Sequence, residues 1–277
     1  MIELPEAVTI ARQMQRTLLG RTFSNVQVAL QRPRFLFVTP EPSEEFSARL
    51  SGHRIVSVTS KGKWIFTRLE NDEILLIGEF GGRLLEHASE SDLPKKRHMT
   101  FTFEDGSCLT LSIQMWGFVG ALSQDEVDAH PYAGTLGPSP IDDDLTLERW
   151  NHLVDAYLES VNKPVKAFLT HEANICGIGN GYLQDILFRA ELSPKRTVAD
   201  LDLDRRAALF RAMREILERA IELGGRDTEV DLHGSPGRYV PLLDRRSKGT
   251  PCPRCGAPIE KVQYLGGSCY VCPICQA

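Results

Sequence analysis

Between Pro5 and Leu19 the apolar residues Ala7, Ile10, Ala11, Met14 and Leu18 fall three or four positions apart, which places them on one face of a helix. Pro5 in the first turn and Gly20 just past the end match how such a helix starts and stops. The period then shortens. Apolar or alternating runs at 24–29, 54–59, 63–69, 74–78, 98–103 and 108–114 read as strands, and Asp105-Gly106 marks a hairpin between the last two. The first part is therefore expected to be a β-sandwich or flattened barrel carrying one N-terminal helix. Residues 130–144, with three prolines and three consecutive aspartates, read as a linker. Beyond it the helical period returns at 145–160, 164–171, 181–190 and 203–223, with no strand among them. After Gly224-Gly225 the chain turns irregular, and 233–239 reads as a loop. The expected class is α+β, with a sandwich domain at 1–129, the linker, a helical domain at 145–243 and a terminal module at 244–277.

That terminal module carries the sharpest chemistry. Cys252/Cys255 and Cys272/Cys275 form two Cys-x-x-Cys pairs, and two such pairs complete the tetrahedral shell of a closed structural zinc site. Pro253, Gly256 and Pro273 suit the knuckles, where backbone amides turn toward sulfur, and Gly256 to Val271 is long enough for a short hairpin. A redox dithiol or a disulfide pair is the alternative, and it has to explain why two pairs sit together. The other cysteines, Cys108, Cys176 and Cys269, fit inert packed thiols in a reducing compartment. One structural Zn2+ is expected.

Charge modifies this picture only locally. The net charge is -5, a mild argument against a nucleic-acid partner. From Arg245 onward, however, five basic residues face one acidic residue, so the tail is cationic on an acidic body. No run of about 18 apolar residues appears and the first residues lack a secretory pattern, so the expectation is a cytosolic protein with no membrane partner.

Four further places carry candidate chemistry. Ile175-Cys-Gly-Ile-Gly-Asn180 joins two helical segments, with Asn180 placed to cap the second. Backbone N–H groups exposed there suit a phosphate, while a tight turn that merely needs glycine is the alternative. Glu3 and Glu6 bracket Pro5, where carboxylates favour a helix N-terminus. Beside an α-amine, whose ordinary pKa is about 8, they can also shuttle protons. Lys61 and Lys63, which alternation places on the same side ahead of an apolar strand, are either a solvated strand end or a phosphate contact. Trp116 is either core or a wedge for a base stack.

Taken together, the Glu-Leu-Pro-Glu start, the lysine-bearing strand, the Gly-Ile-Gly-Asn turn and the two cysteine pairs resemble the formamidopyrimidine-DNA glycosylase and endonuclease VIII family, over nearly the whole chain. The resemblance implies a monomeric two-domain clamp on damaged duplex DNA, with a helix-two-turn-helix element and a zinc finger, acting in base excision in the bacterial cytosol or nucleoid. By the same resemblance Glu3 is the catalytic acid/base and Lys63 a phosphate contact. Gly179 and Asn180 lie at the helix-two-turn-helix backbone contact, Trp116 at the wedge, Tyr239 in the segment over the everted base, and the four paired cysteines at zinc. Base eversion is the expected strategy, since the glycosidic bond is unreachable inside a stacked duplex.

The departures are equally specific. Ile2 stands where the family has a proline nucleophile, and Met1 before a large residue is expected to be retained, so the free amine is assigned to Met1 or Ile2. Gln114 and Gly267 stand where the family has arginines, and its first-domain methionine has no counterpart near Phe80-Gly-Gly82. The expected activity is N-glycosidic cleavage with abasic-site lyase chemistry in question. The alternative readings are a damage-binding clamp that excises nothing and a zinc-stabilised protein with no DNA role.

Overall fold

The computed structural model describes residues 1–29, 31 and 33–276. These form two compact units, one of residues 1–135 with 223–238, the other of residues 136–222 with 239 onward. This division differs from the sequence-based one in a way that matters. The segment 223–238, expected in the helical domain, belongs to the N-terminal unit, and so does the first part of the expected linker, which holds a 3-10 turn at Ala133–Thr135.

The N-terminal unit runs α1 (Leu4–Thr17), β1 (Phe23–Val28), β2 (Leu36–Thr39), α2 (Ser43–Leu50), β3 (Ile55–Lys61), β4 (Trp64–Leu69), β5 (Ile74–Gly78), β6 (Gly82–His87), β7 (Met99–Phe103), β8 (Cys108–Ile113), β9 (Gly117–Leu122) and α3 (Gln124–Asp128). Two sheets result, a four-stranded one in the order β1-β7-β8-β6 and a five-stranded one in the order β2-β9-β5-β4-β3. All described pairings are antiparallel except β2 with β9. One apolar core draws Phe101, Leu109 and Leu111 from the first sheet, Ile65, Leu75 and Ile77 from the second, and Ala7, Ile10, Ala11 and Met14 from α1. Each fully buried large side chain there contributes roughly 1.5–3 kcal/mol. The central strand β5 is buried along its whole length, which accounts for its unbroken Ile-Leu-Leu-Ile run.

Asp105-Gly106 makes the expected turn, with Gly106 at φ +84°. Three strands lacked a period strong enough to read. β6 starts at Gly82 because a Cβ there would meet the Ser112 carbonyl oxygen at 1.9 Å, so the β6–β8 pairing requires glycine. β2 is four residues long, and β9 carries two glycines.

The C-terminal unit holds α4 (Leu147–Ser160), α5 (Val165–Leu169), α6 (Asn180–Arg189) and α7 (Leu203–Glu222), then the hairpin β10 (Glu260–Tyr264) and β11 (Gly267–Val271). α6 packs on α7 and on β11. Among the described residues no helix is long and apolar enough to cross a membrane.

One buried acid organises this unit. Asp185 on α6 accepts the Tyr239 hydroxyl at 2.7 Å and the backbone N–H groups of Leu242 and Leu243 at 2.9 Å each, fixing the strap that leads to the cysteine module. Burial lifts its pKa from the ordinary 3.8 to about 6 against the pull of these three bonds. A folded-state pKa above the unfolded one means that this group's contribution to stability is fully present below about pH 4 and is lost as pH rises through about 6. Relative to Asp185→Asn, the wild type should therefore lose about 3 kcal/mol of stability between these pH values, as read by urea unfolding at a series of pH values.

Candidate active site

The start of α1 is fixed by a capping box. Glu3 is the N-cap, and its N–H donates to Glu6 Oε2 at 2.8 Å. Both carboxylates are buried. The charge that balances them comes from residue 226, more than 200 positions away. Gly224 and Gly225 turn the chain at φ +77° and +91°, and a Cβ on Gly225 would lie 2.9 Å from Glu6 Cγ. This close approach delivers Arg226 beneath the N-terminus. Its guanidinium donates to Glu6 Oε1 at 3.1 Å, to Glu6 Oε2 and Glu3 Oε1 at 3.3 Å each, and to the Met1 carbonyl at 2.8 Å. Its own backbone N–H donates to Glu6 Oε1 at 3.0 Å. Arg226 is itself buried, so this is a dry, multiply bonded ion cluster rather than a surface pair.

The same loop supplies Glu229. Its Oε1 lies 2.9 Å from the Met1 amine, the two side chains being 17% and 31% exposed. Met1 and Glu229 line a pocket of about 170 Å³ together with Gly81, Gly82, Arg83, Gln114, Met115, Thr228 and Val230. Ile2 faces the opposite way. Its side chain is in the core and its N–H donates to the Phe80 carbonyl at 3.0 Å. The loop is pinned to this unit further along, where Gln13 donates to Asp231 and accepts from the Leu232 N–H, and Leu232 is fully buried.

Of the expected site residues in this unit, Met1 and Gln114 share the pocket, and Glu3 does not line it but is joined to Met1 through Arg226. Trp116 is 47% exposed and is not a core residue. Its carbonyl accepts the Gly81 N–H at 2.9 Å, which ties the 114–116 turn to the pocket rim. Lys61 and Lys63 do not share a strand face. They flank the β3–β4 hairpin at Gly62, Lys61 exposed and Lys63 buried with Nζ 3.5 Å from Glu79 Oε1.

In the C-terminal unit Gly179 is the N-cap of α6 and Asn180 its first residue, so Asn180 is not the expected side-chain cap. Its Nδ2 donates instead to the Ser268 carbonyl at 2.7 Å, at the tip of the β10–β11 hairpin. Buried Lys166 reaches the same tip, donating to the Tyr264 carbonyl at 2.8 Å. A Cβ on Gly267 would lie 3.3 Å from Asn180 Nδ2 and 3.4 Å from Lys166 Nζ, so these two donors occupy the space beside that glycine. Tyr239 packs inside this unit. It is buried against Tyr182 and hydrogen-bonded to Asp185, and burial together with the Asp185 charge raises its hydroxyl pKa. The ligand atoms of Cys252, Cys255, Cys272 and Cys275 lie within 4.8 Å of one another, a donor set suited to a metal ion. Amides of Arg254 and Cys275 point at the sulfurs of Cys252 and Cys272, 3.4 Å away in each case, as knuckle turns require.

The family model described as the Formamidopyrimidine-DNA glycosylase N-terminal domain matches residues 1–113, and the Formamidopyrimidine-DNA glycosylase H2TH domain matches 136–231. The chain belongs to the formamidopyrimidine-DNA glycosylase and endonuclease VIII family. Relatives called formamidopyrimidine-DNA glycosylase in Bacillus cereus and Streptococcus pneumoniae are each 28% identical, covering 100% of this chain and 99% of theirs. A Lactococcus lactis Fpg solved in complex with abasic-site DNA superposes with a TM-score of 0.86 at 25% identity, covering 99% of each chain. The Thermus thermophilus MutM (Fpg) protein does so at 0.81 and 26% identity, covering 99% of this chain and 98% of that one.

For a member of this glycosylase family, the residues that sequence reading missed are Arg226, Glu229 and Lys166. The first two sit in an irregular loop with no period to flag them. The one available signal was two glycines followed by a run rich in charge, Arg226-Asp-Thr-Glu229. Removing the guanidinium would leave Glu3 and Glu6 as uncompensated buried charges. Arg226→Met should therefore cost about 3–5 kcal/mol in urea unfolding, with Arg226→Lys recovering part of it.

Proposed function

We propose that this protein is a DNA glycosylase of base-excision repair, which receives an altered base or its sugar at the Met1–Glu229 pocket and cleaves the N-glycosidic bond. The observation that carries the reading is a primary amine lining a pocket with a carboxylate 2.9 Å away. The amine of Met1 takes the place of the family's proline, and Ile2 serves as the buried anchor that holds it in position. Nitrogen bonds to C1′, the C1′–base bond breaks with its electron pair on the base, and the sugar ring opens to an iminium. Of the three ammonium protons, one stays on nitrogen, one passes to the ring oxygen and one ends on the departing base. Glu229 and Glu3 are the carboxylates proposed to carry them. Lys63, Gly179 and Asn180 are assigned to DNA phosphates, and Trp116 with Gln114 to the gap left by the everted base. The four cysteines are assigned to one structural Zn2+.

A second reading, a damage-binding clamp without excision, draws on one specific feature: the Glu3 carboxylate is engaged by Arg226 and does not line the pocket.

Single-turnover excision on duplexes bearing oxidised purines, oxidised pyrimidines or formamidopyrimidines separates the two. The glycosylase reading expects release of at least one base class, with Glu3→Gln and Glu229→Gln each lowering the rate by about 10²-fold or more while DNA affinity is kept. Tight binding with no base released from any substrate would favour the clamp. For the metal, elemental analysis should give one zinc per chain, and chelation should lower the unfolding temperature. An unchanged transition after complete zinc loss would overturn the assignment.

A further inference from the structure

We propose that Phe35, Phe37 and Trp116 form a stacking platform for unpaired bases, and that the preferred substrate is DNA with a single-stranded stretch beside the altered base. This rests on the DNA-directed reading above and deepens it. Strand alternation turns Leu36 and Val38 of β2 into the core and sends Phe35 and Phe37 to the outer face. There they meet Trp116, with ring centroids 5.3 Å (edge-on) and 5.1 Å (tilted) away. The three residues are 48%, 48% and 47% exposed, so the fold leaves them open to solvent. Met115 beside them is 61% exposed.

Two observations identify the occupant. The first is charge: the Arg34 guanidinium lies 5.8 Å from the Phe35 ring centroid, and aromatic faces beside a guanidinium suit a stacked base with its phosphate. The second is continuity with the pocket. The Phe35 carbonyl accepts the Gly117 N–H at 3.0 Å and the Trp116 carbonyl accepts the Gly81 N–H at 2.9 Å, so the rings are held in backbone register with a pocket-lining residue. A wedge in an intact duplex needs one ring. Three rings at different tilts offer faces to several bases, and bases paired and stacked in a duplex cannot reach them.

The test is fluorescence anisotropy with an end-labelled oligonucleotide of about 20 residues, offered as a single strand and as the matching duplex. The wild-type protein is compared with Phe35→Ala/Phe37→Ala, with Trp116 retained and circular dichroism confirming the fold. The platform predicts that the double variant loses about tenfold or more in affinity for the single strand and less than about twofold for the duplex. Phe35→Tyr/Phe37→Tyr, which keeps both π-faces, should restore single-strand binding. Equal losses on both DNAs, or no loss on the single strand, would overturn the platform while leaving the glycosylase reading intact. A wild-type protein that binds neither DNA would remove both.

Discussion

A single buried guanidinium holds the business end of the N-terminal unit together. Arg226 is bonded to Glu3, to Glu6 and to the carbonyl of Met1, and so ties the first turn of α1 to a loop that arrives after the whole helical segment has been threaded. Carboxylates placed at a helix N-terminus for capping would otherwise repel one another in a low-dielectric site. With the cation present they become an ordered cluster, and Glu229, three residues further on, is brought to the Met1 amine by the same loop.

The proposed chemistry needs an amine at the pocket, and Met1, not Ile2, supplies it. The side chain of Ile2 is consumed by the core and its N–H by the Phe80 carbonyl. The chain therefore lines the pocket through Met1. In the C-terminal unit Gly267 begins β11, the second strand of the hairpin. The space beside it is taken by Lys166 and Asn180, which reach the hairpin tip from α5 and α6.

Sequence periodicity was enough for α1, for six strands and for the four helical segments of the second unit, and ligand spacing for the cysteine module, because each of these signals is local. It failed where the reason for a residue lies elsewhere in the fold. Gly82 starts a strand because of the Ser112 carbonyl, β9 is obscured by its glycines, and Tyr239 reads as a loop residue until Asp185 is seen beneath it. Glu3 was legible both as a cap and as a catalytic candidate. Arg226 was legible as neither, since its partners lie about 220 residues away and nothing local distinguishes it from a solvated charge.

The proposed nucleophile is the amine at Met1. Borohydride trapping on a duplex with one abasic site, using protein whose first residue has been verified by intact mass, would identify it. The expected result is a covalent protein–DNA adduct that maps to the Met1 amine and disappears when that amine is blocked. Measurable binding to the same duplex with no adduct, or an adduct on an internal lysine, would contradict it.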